Sequence, residues 1–278
     1  MFFFKKVYRN LKSDIECVKF EGTRFILRRL FPKIKTDSIF IYGNQKSGTS
    51  IIAASLARYG ALSLTLDINN FTVEEQDNLH TGELKFYQFI EKHKFEFSSN
   101  IIKEPALTFI YDKVIYDFPH SRSIFIVRDP RDTIRSILNR VGRSGNKNIL
   151  ENFEELPLAW QRIIDNRWLG IESDHYIESL SARWNLAVDI YSKNSSRMLL
   201  IKYEDFLDDK ILMIKSIANQ LNIQQKNSIS NFVDKQFQPR GDRTIKVREF
   251  FGFENLKIIE NTCHKQMCEL GYKPLLSC

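Results

Sequence analysis

Three groups of residues in this chain of 278 have the types and spacing to do chemistry. The first is Gly43-Asn44-Gln45-Lys46-Ser47-Gly48-Thr49-Ser50, between an apolar run (38–43) and a helix-forming stretch (50–59). In such a strand-to-helix turn the backbone N–H groups converge on an anion, and the helix dipole favours negative charge there. The second is Arg128-Asp129-Pro130-Arg131-Asp132 with Ser136, after the apolar run 123–127. A guanidinium at a strand end can grip a phosphate through two parallel hydrogen bonds, and Ser136 can add a hydroxyl from the second helical turn. The third is a pair of carboxylates at strand ends, Asp67 after 61–66 and Glu104 after 100–103. Either can take a proton from an attacking hydroxyl. The competing readings are an ion pair of Glu104 with Arg128 or Lys103, and a turn or N-cap role for Asp67.

Gly43 and Gly48 keep the glycine spacing of a P-loop, G-x-x-x-x-G-K-[ST]. The residue after Gly48 is Thr49, however, and the lysine stands two places earlier at Lys46. A triphosphatase holds Mg²⁺ with an Asp at a strand end; the corresponding strand here ends Ile126-Val127-Arg128. Asp129, between Arg128 and Arg131, reads as a salt-bridged or capping residue. The pattern is a phosphate loop with a second anion site and no metal site. A P-loop kinase or other phosphoryl transferase, and a non-catalytic nucleotide-binding relative, remain alternatives.

These residues need a scaffold that brings strand ends together. Apolar runs at 38–43, 61–66, 100–103, 123–127 and 198–203 read as strands. Helices are expected at 50–59, 83–94, 106–118, 130–140, 157–168 and 176–194 and over most of the C-terminal part. Loops are expected at 67–81 and 142–156, with an irregular stretch at 238–252. Strands alternating with helices imply an α/β fold. It is a single P-loop-like domain, with a central parallel sheet of about five strands flanked by helices on both faces. Ligands of such sheets sit at the carboxyl ends of the strands. The boundaries expected are a basic N-terminal helical arm over 1–37 and the α/β domain over 38–278, with the C-terminal helices 209–278 packed on it.

Lys46-Ser47-Gly48-Thr49-Ser50 resembles the phosphosulfate loop of the sulfotransferases, and Arg128 to Asp132 with Ser136 resembles their 3′-phosphate motif. The 199–205 segment is similar to the later strand whose tyrosine, here Tyr203, lies near adenine in some members. Arg183-Trp184-Asn185 fits the helix before that strand. The resemblance spans roughly 38–208, with a weaker echo at Arg240-Gly241 and Leu270-Gly271-Tyr272. It implies 3′-phosphoadenosine 5′-phosphosulfate (PAPS) as donor cosubstrate and no metal. Gln45, Lys46, Ser47, Gly48, Thr49, Ser50, Arg128, Ser136 and Tyr203 are then donor-binding residues, with Arg240-Gly241 closing over the 3′-phosphate. Two features depart from the cytosolic small-molecule branch. Ile51 stands where that branch has a stacking Trp, and Lys103-Glu104-Pro105 replaces its histidine-bearing segment. The latter is similar to bacterial and carbohydrate-type members.

Within that resemblance Lys46 is the catalytic cation, and Glu104 or Asp67 is the base. The acceptor is expected to be a glycan, a glycolipid or another hydroxyl compound, lined by 142–156 and by Trp160, Arg162, Arg167 and Trp168. His80 and Glu83 fall in a region that lines the acceptor site in related folds. No nucleic-acid motif appears. The net charge of +7 suits an anionic ligand or a membrane surface. The basic arm, with Lys5, Lys6, Arg9, Lys12, Arg24, Arg28, Arg29 and Lys33, is either a packed peripheral helix or an interfacial membrane contact. Four scattered cysteines fit neither a zinc site nor a disulfide framework, and a cytoplasmic place, at the membrane surface if the arm binds there, is expected.

Overall fold

The computed structural model describes residues 22–235, 237 and 244–276. The five apolar runs form β1 (Ile39–Tyr42), β2 (Leu64–Leu66), β3 (Ile101–Lys103), β4 (Arg122–Val127) and β5 (Met198–Lys202). They make one parallel sheet in the order β2-β3-β1-β4-β5. Alternate side chains of a strand point to opposite faces, and here the two faces feed different cores. Phe40, Tyr42, Ile102, Phe125 and Val127 join an aromatic-rich cluster with Phe86, Phe89, Phe97 and Phe118. Ile39, Ile41, Ile101, Ile124 and Ile126 meet Ile52, Leu56, Ile214 and Ile217. Burying each such side chain stabilises the fold by about 1.5–3 kcal/mol, which makes the sheet a firm base for the loops at its carboxyl ends.

The helices, in chain order, are α1 (Thr23–Leu30), α2 (Thr49–Gly60), α3 (Val73–Thr81), α4 (Phe86–Lys92), α5 (Tyr111–Asp117) and α6 (Pro130–Val141). They continue with α7 (Leu158–Asp165), α8 (Tyr176–Lys193), α9 (Tyr203–Asp208), α10 (Lys210–Gln220), α11 (Val247–Thr262) and α12 (His264–Glu269). α2 and α10 cover the isoleucine face; α4, α5, α6, α8 and α11 cover the aromatic face. The result is one α/β domain with a five-stranded parallel sheet covered on both sides. Among the described residues no helix is long and apolar enough to cross a membrane.

Several local expectations are corrected. The stretch expected as loop at 67–81 contains α3, started by a capping box in which Thr72 and Glu75 satisfy each other's backbone N–H. The strand expected from 61 begins at Leu64, because Ala61 turns left-handed as the C-cap of α2. The helix expected from 106 opens as a 3₁₀ segment, Pro105–Ile110, before α5. α7 stops at Asp165, where Asn166 takes φ 57. Tyr203, expected as the last strand residue, opens α9. α11 starts inside the stretch expected to be irregular, with a break at Gly252.

Candidate active site

The loop after β1 owes its shape to two glycines. Gly43 leaves the strand at φ 136, and a Cβ there would lie 2.3 Å from the Ile126 carbonyl oxygen. Only glycine lets the ends of β1 and β4 approach so closely. Gly48, at φ 92, caps α2, and a Cβ there would lie 2.1 Å from the Tyr203 ring. Lys46 between them is also left-handed, at φ 71, a conformation that costs a non-glycine residue about 1–3 kcal/mol. No side chain caps the N-terminus of α2. Ser47 Oγ and Asn44 Nδ2 are buried and make no hydrogen bond. The uncapped amides at this helix start fit an anionic group such as the 5′-phosphosulfate.

Lys46 lines a cavity of about 410 Å³ at the carboxyl ends of the strands. Burial pushes its pKa down to about 8, and the neighbouring charges of Arg140, Arg128 and Lys103 push the same way. Nine Lys and Arg residues line the cavity against four carboxylates, so an anion entering it relieves a concentration of positive charge.

Arg128, at the end of β4, is buried and held by its own backbone. Its carbonyl accepts hydrogen bonds from Trp184 Nε1 at 2.9 Å and from Thr133 Oγ1 at 3.4 Å. Its guanidinium lies 5.1 Å from the centre of the Tyr203 ring and donates to the Lys46 carbonyl at 3.2 Å. Asp132 is 3.7 Å away, beyond good hydrogen-bond distance. Asp129 both caps α6 and pairs with Arg131, which also meets the buried Glu260 at 2.6 Å. With Pro130 at the first helical position, α6 starts directly below Arg128. Asp132, Arg135, Ser136, Asn139 and Arg140 then line the cavity from one face of α6.

Glu104 and Asp67 meet where β3 and β2 end. Glu104 is N-cap to the 3₁₀ segment. Its two oxygens accept from Ala106 N–H and Ile68 N–H, each at 3.1 Å. Burial, reinforced by the Asp67 charge, pushes its pKa up to about 7. Asp67 is ion-paired with the buried Lys103. Of the two partners expected for Glu104, neither forms an ion pair with it: Lys103 takes Asp67, and Arg128 faces Asp132.

Behind the loop lies Arg183 of α8, fully buried. Nε donates to Asn44 Oδ1 (3.0 Å), Nη2 to Gln45 Oε1 (2.6 Å) and Nη1 to Asn166 Oδ1 (2.7 Å). All three acceptors are neutral amides. Phe109 stacks against the guanidinium at 4.2 Å, and burial, then Arg162, lowers its pKa to about 9. Replacing it with methionine strands these amide oxygens, at about 1–3 kcal/mol for each one left buried. Arg183→Met is therefore expected to lower the melting temperature and to weaken nucleotide binding, checked by thermal unfolding with and without 3′-phosphoadenosine 5′-phosphate (PAP). A PAP-induced stabilisation equal to wild type would show that the network does not shape the loop.

The cavity thus unites Gln45, Lys46, Gly48, Thr49, Ser50, Asp67, Glu104, Arg128, Ser136 and Tyr203. Ser47 is buried beneath the loop and does not line it. Trp160, Arg162 and Trp168 line it; Arg167, His80, Glu83 and the 142–156 loop do not. Arg240 and Gly241 lie outside the described residues, as does the arm before residue 22. Missed from the sequence were Arg135, Asn139 and Arg140, although their helical spacing from Asp132 was visible. Also missed was an apolar wall of Phe206, Leu207, Val233 and Phe237 beside Ile51 and Tyr203, for which no sequence signal existed.

A family model described as the sulfotransferase domain matches residues 36–266. No curated protein matches the chain. Among solved structures, a sulfotransferase domain from the curacin biosynthetic pathway is 14% identical, covering 87% of this chain and 99% of that one, with TM-score 0.46. Sulfotransferase STF9 from Mycobacterium avium is 10% identical, covering 91% and 83%, with TM-score 0.48. Mouse sulfotransferase SULT7A1, solved in complex with PAP, is 16% identical, covering 91% and 88%, with TM-score 0.41. The family model spans most of the chain: the protein belongs to the sulfotransferase domain family and is a PAPS-dependent sulfotransferase.

Proposed function

We propose that the chain moves a sulfuryl group from PAPS to a hydroxyl or amine of a glycan, with anionic glycans or glycolipids favoured. The carrying observation is the composition of the cavity that Asp67 and Glu104 also line. Phe71, Trp160 and Trp168 stand there with Arg140 and Arg162. Arg162 is fixed by Asp77 at 2.5 Å and lies 4.8 Å from the Trp168 ring centre. Aromatic faces suit sugar rings, and fixed guanidinium groups suit carboxylate or sulfate substituents.

The donor supplies the sulfuryl group and departs as PAP. Backbone N–H groups of Ser47 to Ser50 hold its 5′-phosphate end, and Arg128 and Ser136 hold its 3′-phosphate. The wall of Phe206, Leu207, Val233 and Phe237 takes the base. Lys46 neutralises charge on the oxygen of the breaking S–O bond, fixed before the reaction and so without reorganisation cost. Glu104 takes the proton of the acceptor hydroxyl as its oxygen bonds to sulfur. Glu104 fits this role better than Asp67, because its raised proton affinity suits transfer near neutral pH and Asp67 is tied to Lys103.

The sign of the pH dependence follows. Glu104 must be ionised, so kcat/KM rises as pH climbs through about 7. Lys46 must be charged, so kcat/KM falls as pH passes about 8. Glu104→Gln is expected to abolish the rising limb and most turnover with PAP binding intact, as checked by initial rates from pH-controlled assays. An unchanged rising limb in Glu104→Gln would move the base elsewhere, with Asp67→Asn the next variant to assay. Transfer of labelled sulfate to a panel of neutral glycans, anionic glycans, glycolipids and simple phenols tests the acceptor. Incorporation into phenols alone would overturn the glycan reading.

A further inference from the structure

Among the described residues, α1 is docked through one side. Its Phe25 is buried and meets Phe95 edge-on at 5.4 Å. Arg28 Nη1 donates to the Phe95 carbonyl (2.9 Å), Ser98 Oγ (3.1 Å) and Ser99 Oγ (2.8 Å). Arg29 lies 4.6 Å from the Phe95 ring centre. The opposite side carries Ile26, Leu27, Leu30 and the C-cap Phe31, which are 52%, 59%, 64% and 76% exposed. At helical spacing, Ile26, Leu30 and Leu27 fall on an arc of about 100° turned away from Phe25. Scattered exposed apolar residues need no explanation, but a contiguous set marks a contact surface.

Charge identifies what that contact is. Residues 1–37 contain ten Lys and Arg against four Asp and Glu, so they hold +6 of the chain's net +7. Arg24, Arg29 and Lys33 are exposed around the apolar side chains. An apolar stripe bordered by cations matches an anionic lipid surface. A second copy of the chain would bring two such cationic segments together and is disfavoured by repulsion.

We propose that α1, with the exposed Arg24, Arg29 and Lys33 beside it, seats the protein on an anionic lipid bilayer, with Ile26, Leu27, Leu30 and Phe31 entering the interface. α1 is fastened to residues 95–99, which lead into the amino end of β3. The cavity lies at the carboxyl ends of the strands. The seated protein therefore turns its cavity away from the bilayer that holds it, which favours a soluble glycan acceptor over a glycolipid of that bilayer.

The test is co-sedimentation of the full chain with phosphatidylcholine vesicles and with vesicles also containing phosphatidylserine. Wild type is expected to bind the phosphatidylserine vesicles, release in high salt, and bind phosphatidylcholine alone weakly. Leu27→Glu/Leu30→Glu is expected to reduce binding at least about tenfold with PAP affinity unchanged, which also shows that the variant is folded. Three results would overturn the proposal. One is wild type remaining in the supernatant with both vesicles, as when the chain's own N-terminal segment covers the stripe. Another is the double variant sedimenting like wild type. The third is a wild-type dimer that the double variant converts to monomer, which would make the stripe an interface between copies. None of these depends on the acceptor or on catalysis.

Discussion

Lys46→Met is expected to lower kcat about 10²–10³-fold, the loss that follows removal of one fixed group stabilising transition-state charge. Methionine keeps an unbranched stem and the same backbone demand at φ 71, so the loop is retained. PAP affinity should change little. Burial, then the charges of Arg140, Arg128 and Lys103, already disfavour the charged ammonium. Removing it takes away one attraction to the nucleotide but also one repulsion within the empty cavity. Single-turnover transfer of labelled sulfate gives the rate, and calorimetry gives PAP affinity. A loss confined to PAP affinity, with the single-turnover rate at saturating donor unchanged, would mean that Lys46 only binds, because uniform binding lowers KM without raising kcat.

Arg128→Ala is expected to show the opposite split. Each hydrogen bond to a charged group contributes about 1.5–3 kcal/mol, so a bidentate grip on the 3′-phosphate amounts to a loss of about 10²-fold or more in PAP affinity. The Trp184 hydrogen bond goes to the Arg128 backbone carbonyl and survives the substitution, so β4 and α6 keep their places. At saturating donor, kcat should fall far less. The comparison with ADP, which lacks the 3′-phosphate, isolates the contact: the variant should weaken PAP and leave ADP nearly unchanged. A similar loss for both nucleotides would mean that Arg128 acts through the Lys46 carbonyl, which it also meets.

Most of the sheet, and the two loops at its carboxyl ends that begin at Gly43 and Arg128, could be read from the sequence because they rest on local signals. Each strand is a short apolar run, and Gly43, Gly48, Arg128 and Pro130 sit at fixed offsets from strand ends. The failures were local competitions that spacing alone does not settle. A capping box at Thr72 and Glu75 nucleates α3 inside a polar stretch. Left-handed Ala61 and Asn166 end helices without a glycine. The cavity wall that carries Trp160, Arg162 and Trp168 was only half visible, because it is built from residues far apart in sequence. Asp77 fixes Arg162, Arg162 lies over Trp168, and Lys103 pairs with Asp67. Arg183 shows the same limit: its helix was picked out, but the amides of Asn44, Gln45 and Asn166 meet it only in the folded chain.

The proposed donor site grips two anionic ends of PAPS and acts without a metal. Calorimetric titration of the wild-type protein with PAP in EDTA, beside ADP with Mg²⁺, tests it most directly. PAP is expected to bind in EDTA, and ADP with Mg²⁺ to bind about 10²-fold more weakly for want of the 3′-phosphate. No heat from PAP, or ADP with Mg²⁺ binding as tightly, would contradict the two-ended site and favour a phosphoryl-transfer reading of the same loop.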